Sequence, residues 1–455
     1  MSGIIVLPII LYKLTPEEVG LNYIMLTISS LVSLLDFGFA PQFGRNFTYI
    51  YSGVNELREE GIDEKQKDNT RINYHLLSVL LATAKSVYFR LSIIGSIIML
   101  TGGTLYVGYI THKFTSINNT LFTWLLFTTS TYFNIYFTYY NSLLTGSGKI
   151  KEANIATFIS KFSYILICIP LLLLNVGLIS IVIANLIAPF IRRYYSYKKY
   201  FTSELNSKIE RDINRSEISS TFKTIWHNSK KLGINFLGAY AVNKSSMFII
   251  GFFLPLSIVG SYGILTQITT LLLSISQTLF TTYEPKYSYY RVNGNREGCM
   301  NIISLTTLVY FIAMIIGSLA IIFLGQPIFT LIHSKTMLPS KLVMTIYLIS
   351  IILEGNHSNF ATLIAAENKI PFVMSGLVSG AFIIILNIIS LSNTTLGLLG
   401  IVTIQFIVQL CYNNWRWPKW ILDEYKMSIT SIAVRGIHEI NLLIRHNNDQ
   451  NISRI

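Results

Sequence analysis

Five charged side chains sit where an apolar run leaves no room for decoration. A charge at the centre of a membrane span costs roughly 2.5–3.5 kcal/mol on insertion scales. Lys244 lies about 18 Å into its run at 1.5 Å per residue, near the middle. It can serve as a cation holding an anionic group in a water-lined cavity, or as half of an assembly pair with Glu354. Tyr240 and Asn243 join it as cavity candidates. Lys161 is about 12 Å from the nearer end of its run, close enough for snorkelling to compete with a binding role. Glu354, with His357 one turn on, is the best candidate for a protonatable or counter-ion site, a structural ion pair being the alternative. Asp36, Arg45 and Arg90 fall near one membrane face, either as a gate cluster or as ordinary helix-end charges. Thr131, Asn134, Thr138, Asn141 and Thr145 recur at spacings of three and four, so they line one helix face. Such a face must meet protein or water rather than lipid; it is either an interhelical hydrogen-bonding stripe or a wet wall for sugars.

The elements that position these residues follow from composition. The chain has 455 residues, 51% hydrophobic and 13% charged, with a mean hydropathy of +0.51. Soluble domains carry about 25% charged residues, so this surface faces lipid. Eleven apolar runs of spanning length fall at 20–40, 88–110, 120–143, 153–174, 177–192, 232–254, 257–281, 302–325, 339–364, 370–391 and 395–413. Residues 3–12 make a twelfth of half length. With both termini on one side, 29 of the 35 Lys and Arg residues fall on that side and 4 on the other. That bias places both termini in the cytoplasm and accounts for the net charge of +13 without nucleic acid.

Other chemistries find no support. Cys168, Cys299 and Cys411 lack metal or disulfide spacing. Thr145-Gly146-Ser147-Gly148-Lys149 echoes a phosphate loop but lacks its first Gly and its final Ser or Thr. No metal site or cofactor is expected. The connections on the non-cytoplasmic side are all short, the longest about 13 residues. That argues against a multi-span glycosyltransferase or polymerase.

Internal repetition organises the chain. A shift of 240 sets Val19-Gly20-Leu21 against Val259-Gly260-Ser261, and a shift of 220 sets Gly148-Lys149-Ile150 against Asn368-Lys369-Ile370. The expected architecture is an all-α integral membrane protein of about twelve transmembrane helices, in two pseudo-symmetric six-helix lobes around a central cavity. The lobes are 1–192 and 232–414. A cytoplasmic linker spans 193–231, and an amphipathic tail at 415–455 lies on the inner surface. Against the repeat, about nine residues are missing ahead of the first helix; a misplaced initiator Met is favoured over a stunted helix.

Leu7-Pro8-Ile9-Ile10, Leu14-Thr15-Pro16-Glu17-Glu18-Val19-Gly20-Leu21 and Leu35-Asp36-Phe37-Gly38-Phe39 together resemble the amino-terminal signature of O-antigen and polysaccharide repeat-unit flippases (Wzx type). These belong to the multidrug/oligosaccharidyl-lipid/polysaccharide exporter superfamily, whose eighth span Val259-Gly260-Ser261-Tyr262 also fits. The short start, the charged insertion at 56–71 and Asn243-Lys244, where many relatives carry an acidic residue, depart from the pattern. The last departure leaves no acidic coupling residue to carry over. The resemblance implies a non-enzymatic transporter of the bacterial cytoplasmic membrane. It would move polyprenyl-diphosphate-linked oligosaccharides by alternating access for O-antigen, lipopolysaccharide or capsule assembly, among membrane lipids and beside the polymerase machinery. The anionic diphosphate matches Lys244 and Lys161. A multidrug cation exporter of the same superfamily is the alternative, wanting an acidic cavity for which only Glu354 is available.

Overall fold

The computed structural model describes residues 2–59, 72–366 and 370–452; most of the charged insertion at 56–71 and the repeat mark Asn368-Lys369 lie outside the described residues. Among the described residues every regular element is helical. The chain forms two compact units: Met1–Tyr240 with Pro255–Gly260, and Ala241–Leu254 with Ser261–Ile455.

The first unit begins with α1 (Ser2–Lys13), α2 (Pro16–Ser33) and α3 (Phe39–Tyr51). Thr15 caps α2 through a capping box, its hydroxyl accepting from Glu18 N while Glu18 accepts from Thr15 N. This satisfies two orphan donors at once. Glu18 also accepts from Leu178 N at 3.1 Å. Between α2 and α3 a single 3-10 turn at Leu34–Asp36 leads into Phe37 and Gly38, both left-handed. Next come α4 (Tyr74–Ile98), a π turn at Met99–Gly103 and α5 (Thr104–Ile110), continuous as a 37-residue rod. At about 1.5 Å per residue that rod outruns a hydrocarbon core of about 30 Å, so its Tyr74 end projects beyond the membrane. The unit continues with α6 (Thr120–Tyr136), α7 (Tyr139–Gly146), α8 (Ile150–Leu173), α9 (Ile179–Tyr200), α10 (Ser203–Lys208) and most of α11 (Arg215–Asn243).

The second unit holds α12 (Ser245–Phe253), most of α13 (Leu256–Ser276), α14 (Thr278–Val292), α15 (Arg296–Leu331), α16 (Lys341–Ala365), α17 (Val373–Asn393), α18 (Leu398–Cys411), α19 (Asn413–Tyr425) and α20 (Ile429–Ile452). Its packing repeats that of the first. The pairs α8 with α9, α6 with α9 and α1 with α8 return as α17 with α18, α16 with α18 and α12 with α17. The over-long rod returns as the 36-residue α15. The break between α2 and α3 returns at Gln277, between α13 and α14.

Among the described residues six helical runs are long and apolar enough to cross a membrane, and the bent pair Phe236–Asn243 and Ser245–Phe253 adds a seventh. The expected twelve is reached only by counting the shorter or more polar helices as well. Residues 193–231, expected as a cytoplasmic linker, hold the end of α9, which runs to Tyr200, then α10 and the start of α11, which runs unbroken from Arg215 to Asn243. The tail beyond 415 packs within the second unit, α19 on α16 and α20 on α15. A Cβ on Gly436 would meet Leu308 Cδ2 at 2.8 Å and Ser304 O at 2.9 Å, which shows how closely α20 lies on α15.

Candidate functional site

In the first unit the helix break fixes Asp36. Its carboxylate accepts from Ala40 N at 3.2 Å, capping α3, and from the Tyr88 hydroxyl at 2.6 Å. Arg45 donates to Gln42 Oε1 at 2.8 Å and lies over the Tyr49 ring. Arg90 is exposed. The expected gate cluster of Asp36, Arg45 and Arg90 is therefore not assembled: each has its own surroundings, and no described ion pair joins them. Asp36 caps a helix, the blander of its two readings.

The polar stripe is kept but divided by the break between α6 and α7. Thr131 is buried and donates to Ser29 Oγ at 3.4 Å, tying α6 to α2. Asn134 donates to Ser130 O at 2.9 Å, and Thr138 to Asn134 O at 3.0 Å. Past the break, Asn141 Oδ1 accepts from Arg192 Nη2 at 3.0 Å. Asn134 and Asn141 remain exposed. The stripe thus has a hydrogen-bonding end and an open end. The open end borders a cleft of about 440 Å³ between α3 and α7, lined by Ala40, Pro41, Gly44, Arg45, Thr48, Asn141, Ser142, Thr145 and Gly146. Tyr139 and Tyr140, at the start of α7, are buried and stacked on each other, so they offer no free face to a sugar. Tyr240 donates to Thr27 O at 3.2 Å.

Lys161 is exposed on α8 beside Phe158 and Phe162, which are 68% and 51% exposed and stacked on each other. An uncovered aromatic face suits lipid, which favours snorkelling for this lysine.

In the second unit Lys244 is the break itself. It is the one residue between α11 and α12, whose adjoining segments meet at 42°. Its side chain is exposed, as is that of Asn243. Ser245 and Ser246 behind it are buried. Ser245 donates to Ala241 O, and Ser246 accepts from Asn387 Nδ2 at 3.1 Å. The expected Lys244–Glu354 pair does not form. Glu354 instead lies 3.4 Å from His357 Nδ1 on its own helix, the two side chains 14% and 15% exposed. Without hydrogen-bond geometry between them, Glu354 Oε2 and His357 Nδ1 are buried and unsatisfied, as is Asn356 Oδ1. Tyr310 donates to Ile352 O at 2.8 Å, and Gln277 donates to Asn359 Oδ1 at 2.8 Å. This makes a polar island inside the lobe. Asn387 escaped notice in the sequence because it stands alone in an apolar run, and Gln277 and Asn359 because they sit among other small polar residues; Arg192 was absorbed into the count of basic residues.

Among the described residues no group of His, Cys, Asp and Glu could hold a metal ion.

No family model matches the chain, and no curated protein matches it in sequence. Its fold matches solved structures. One is an inward-closed lipid II flippase MurJ, with a TM-score of 0.65 at 15% identity, covering 97% of this chain and 90% of that one. Another is an inward-facing multidrug resistance MATE family transporter of the MOP superfamily, with a TM-score of 0.61 at 14% identity over 92% and 93%. The fold is that of these membrane transporters.

Proposed function

We propose that this multi-pass membrane protein is a flippase for polyprenyl-diphosphate-linked oligosaccharide repeat units. It would act by alternating access in the bacterial cytoplasmic membrane, with both termini in the cytoplasm, and serve surface polysaccharide assembly. The observation that carries the reading is Lys244: an exposed cation at the one-residue break of a membrane-spanning helix, with no carboxylate paired to it among the described residues. A polar or charged side chain at such depth is retained for a ligand or a partner, and an anionic diphosphate supplies the ligand. Broken helices near the midplane are where transporters of repeated halves hold substrate. Asn134, Thr138 and Asn141 add uncharged polar surface suited to sugars, and the likeness to a lipid II flippase accords with a lipid-linked cargo.

A multidrug cation exporter is the second reading, favoured by the buried, unsatisfied carboxylate of Glu354 and by the likeness to a multidrug transporter. The two are separated by reconstituting the full chain in proteoliposomes. The flippase reading expects a fluorescent polyprenyl-diphosphate oligosaccharide to change leaflets while an organic cation does not move. Cation movement without lipid movement overturns it.

A further inference from the structure

The cleft between α3 and α7 belongs to none of the helix breaks, and its chemistry is one-sided. Its hydroxyls have spent their protons on backbone: Thr48 on Gly44 O, Ser142 on Ala40 O and Thr145 on Asn141 O. Donors remain on Arg45, whose guanidinium has given one Nη2 bond to Gln42. They remain also on Asn141, whose Oδ1 is taken by Arg192 and whose amide NH2 is left free to donate. Arg192 thus fixes which way the amide faces while adding a second positive charge behind it. No carboxylate lines the cleft; the closest along the chain, Asp36, is held by Ala40 N and Tyr88. Planar, multiply donating guanidinium beside an amide donor is the arrangement that recognises phosphoryl oxygens.

We propose that this cleft is an entry site for the phosphoryl group of the substrate, engaged by Arg45 and Asn141 before the headgroup reaches Lys244. The inference rests on the flippase reading and deepens it. Arg192 lies towards the basic end of α9, which carries Lys198 and Lys199 in its last turn, the side from which a cytoplasmically made headgroup would arrive. The volume of about 440 Å³ is in the range of small-ligand sites. The spent hydroxyls keep oxygen lone pairs that can accept from a sugar.

Gly44 gives a clean way to close the site. A Cβ there would meet only Thr145 Oγ1, at 3.7 Å, an ordinary contact. Gly44→Leu starts from that open Cβ position and extends into the cleft, whereas Gly146 faces Phe47 and the Gly44 carbonyl and cannot be enlarged. The test uses the purified full chain and two probes, inorganic pyrophosphate and a short-chain polyprenyl diphosphate, with the polyprenyl alcohol as control. Wild type is expected to bind both phosphorylated probes and not the alcohol. Loss of a hydrogen bond to a charged group predicts at least about tenfold weaker binding in Arg45→Gln. Gly44→Leu should match it with an unchanged melting temperature, and Arg45→Lys should recover part of the affinity. Undiminished binding in both Arg45→Gln and Gly44→Leu overturns the site. Binding of pyrophosphate but not of the lipid form overturns its role in substrate entry. Neither result touches the flippase reading, which fails only if wild type does not move the lipid-linked oligosaccharide.

Discussion

Gly20 and Gly260 hold equivalent places in the two sequence repeats, 240 positions apart, and they lie against each other. Both belong to the first unit. A Cβ on Gly260 would stand 2.9 Å from Pro16 O and 3.1 Å from Gly20 N, and one on Gly20 would overlap the Leu256 carbonyl. The first turns of α2 and α13 therefore cross backbone to backbone, which only glycine permits. The Gly20 and Gly260 positions of the signature-like segments are a packing requirement.

Gly20→Ala is expected to destabilise the protein by about 1–3 kcal/mol, the usual range for overpacking against atoms that cannot yield. Thermal unfolding in detergent should show the loss. Gly376→Ala, where a Cβ meets nothing within 4 Å, should not. Equal melting temperatures for the two variants would contradict the crossing.

Lys244→Ala should lower translocation of the lipid-linked oligosaccharide at least tenfold at an unchanged membrane level, because the exposed side chain supports no packing. Lys244→Arg should keep much of the activity. A transport defect that merely tracks reduced membrane abundance would assign the lysine to folding.

Tyr88→Phe removes the 2.6 Å bond to Asp36. A hydrogen bond to a charged group contributes about 1.5–3 kcal/mol, so the melting temperature should fall, and Asp36→Asn should lower it too, because a single amide oxygen can accept from only one of Tyr88 and Ala40. A variant of normal stability but without transport would restore Asp36 to a gate.

Glu354→Gln keeps the size of the side chain and removes its charge. If the Glu354–His357 pair couples transport to protons, the variant should transport without response to an imposed pH gradient. Response equal to wild type would leave the pair a structural one.

His75 sits at the projecting end of α4, outside the membrane, 2.6 Å from Glu210 and 3.0 Å from Glu217. Hydrogen bonds from its ring N–H groups to Glu210 first, and then to Glu217, raise its pKa above the ordinary 6.5. A raised folded value means the tether is complete below the unfolded pKa and is lost as pH rises through the folded one. Amide protection across α10 and the start of α11, measured relative to the intrinsic exchange rate at each pH, should therefore be greater at pH 6 than at pH 8.5, and His75→Gln should erase the difference. A wild type indifferent to pH would refute the tether.

The all-helical, membrane-spanning character of the fold was legible because it depends on composition summed over about twenty residues. The breaks were not. Asp36 ends a span in the sequence, yet the chain turns once and continues as α3; that depends on Phe37 and Gly38 taking left-handed backbone and on Tyr88 arriving from another helix. Lys244 was visible as a buried-depth charge, but its position at a bend follows from the buried serines and Asn387 behind it. The alternative that paired Lys244 with Glu354 is not realised: Glu354 lies 3.4 Å from His357, three residues along its own helix.

The over-long rod is braced in both halves by the segment that follows the last span. α4 is held at His75 by Glu210 and Glu217, and α15 is held by Arg435, which donates to Asn301 at 3.0 Å. The bend at Lys244 has no such twin: its counterpart 240 positions earlier is Ile4, within the short α1. A duplicated ancestor could thus have bequeathed the scaffolding twice and the charge once. Chimeras that double the first half should then insert and fold yet carry no cargo, separating heredity from chemistry within one polypeptide.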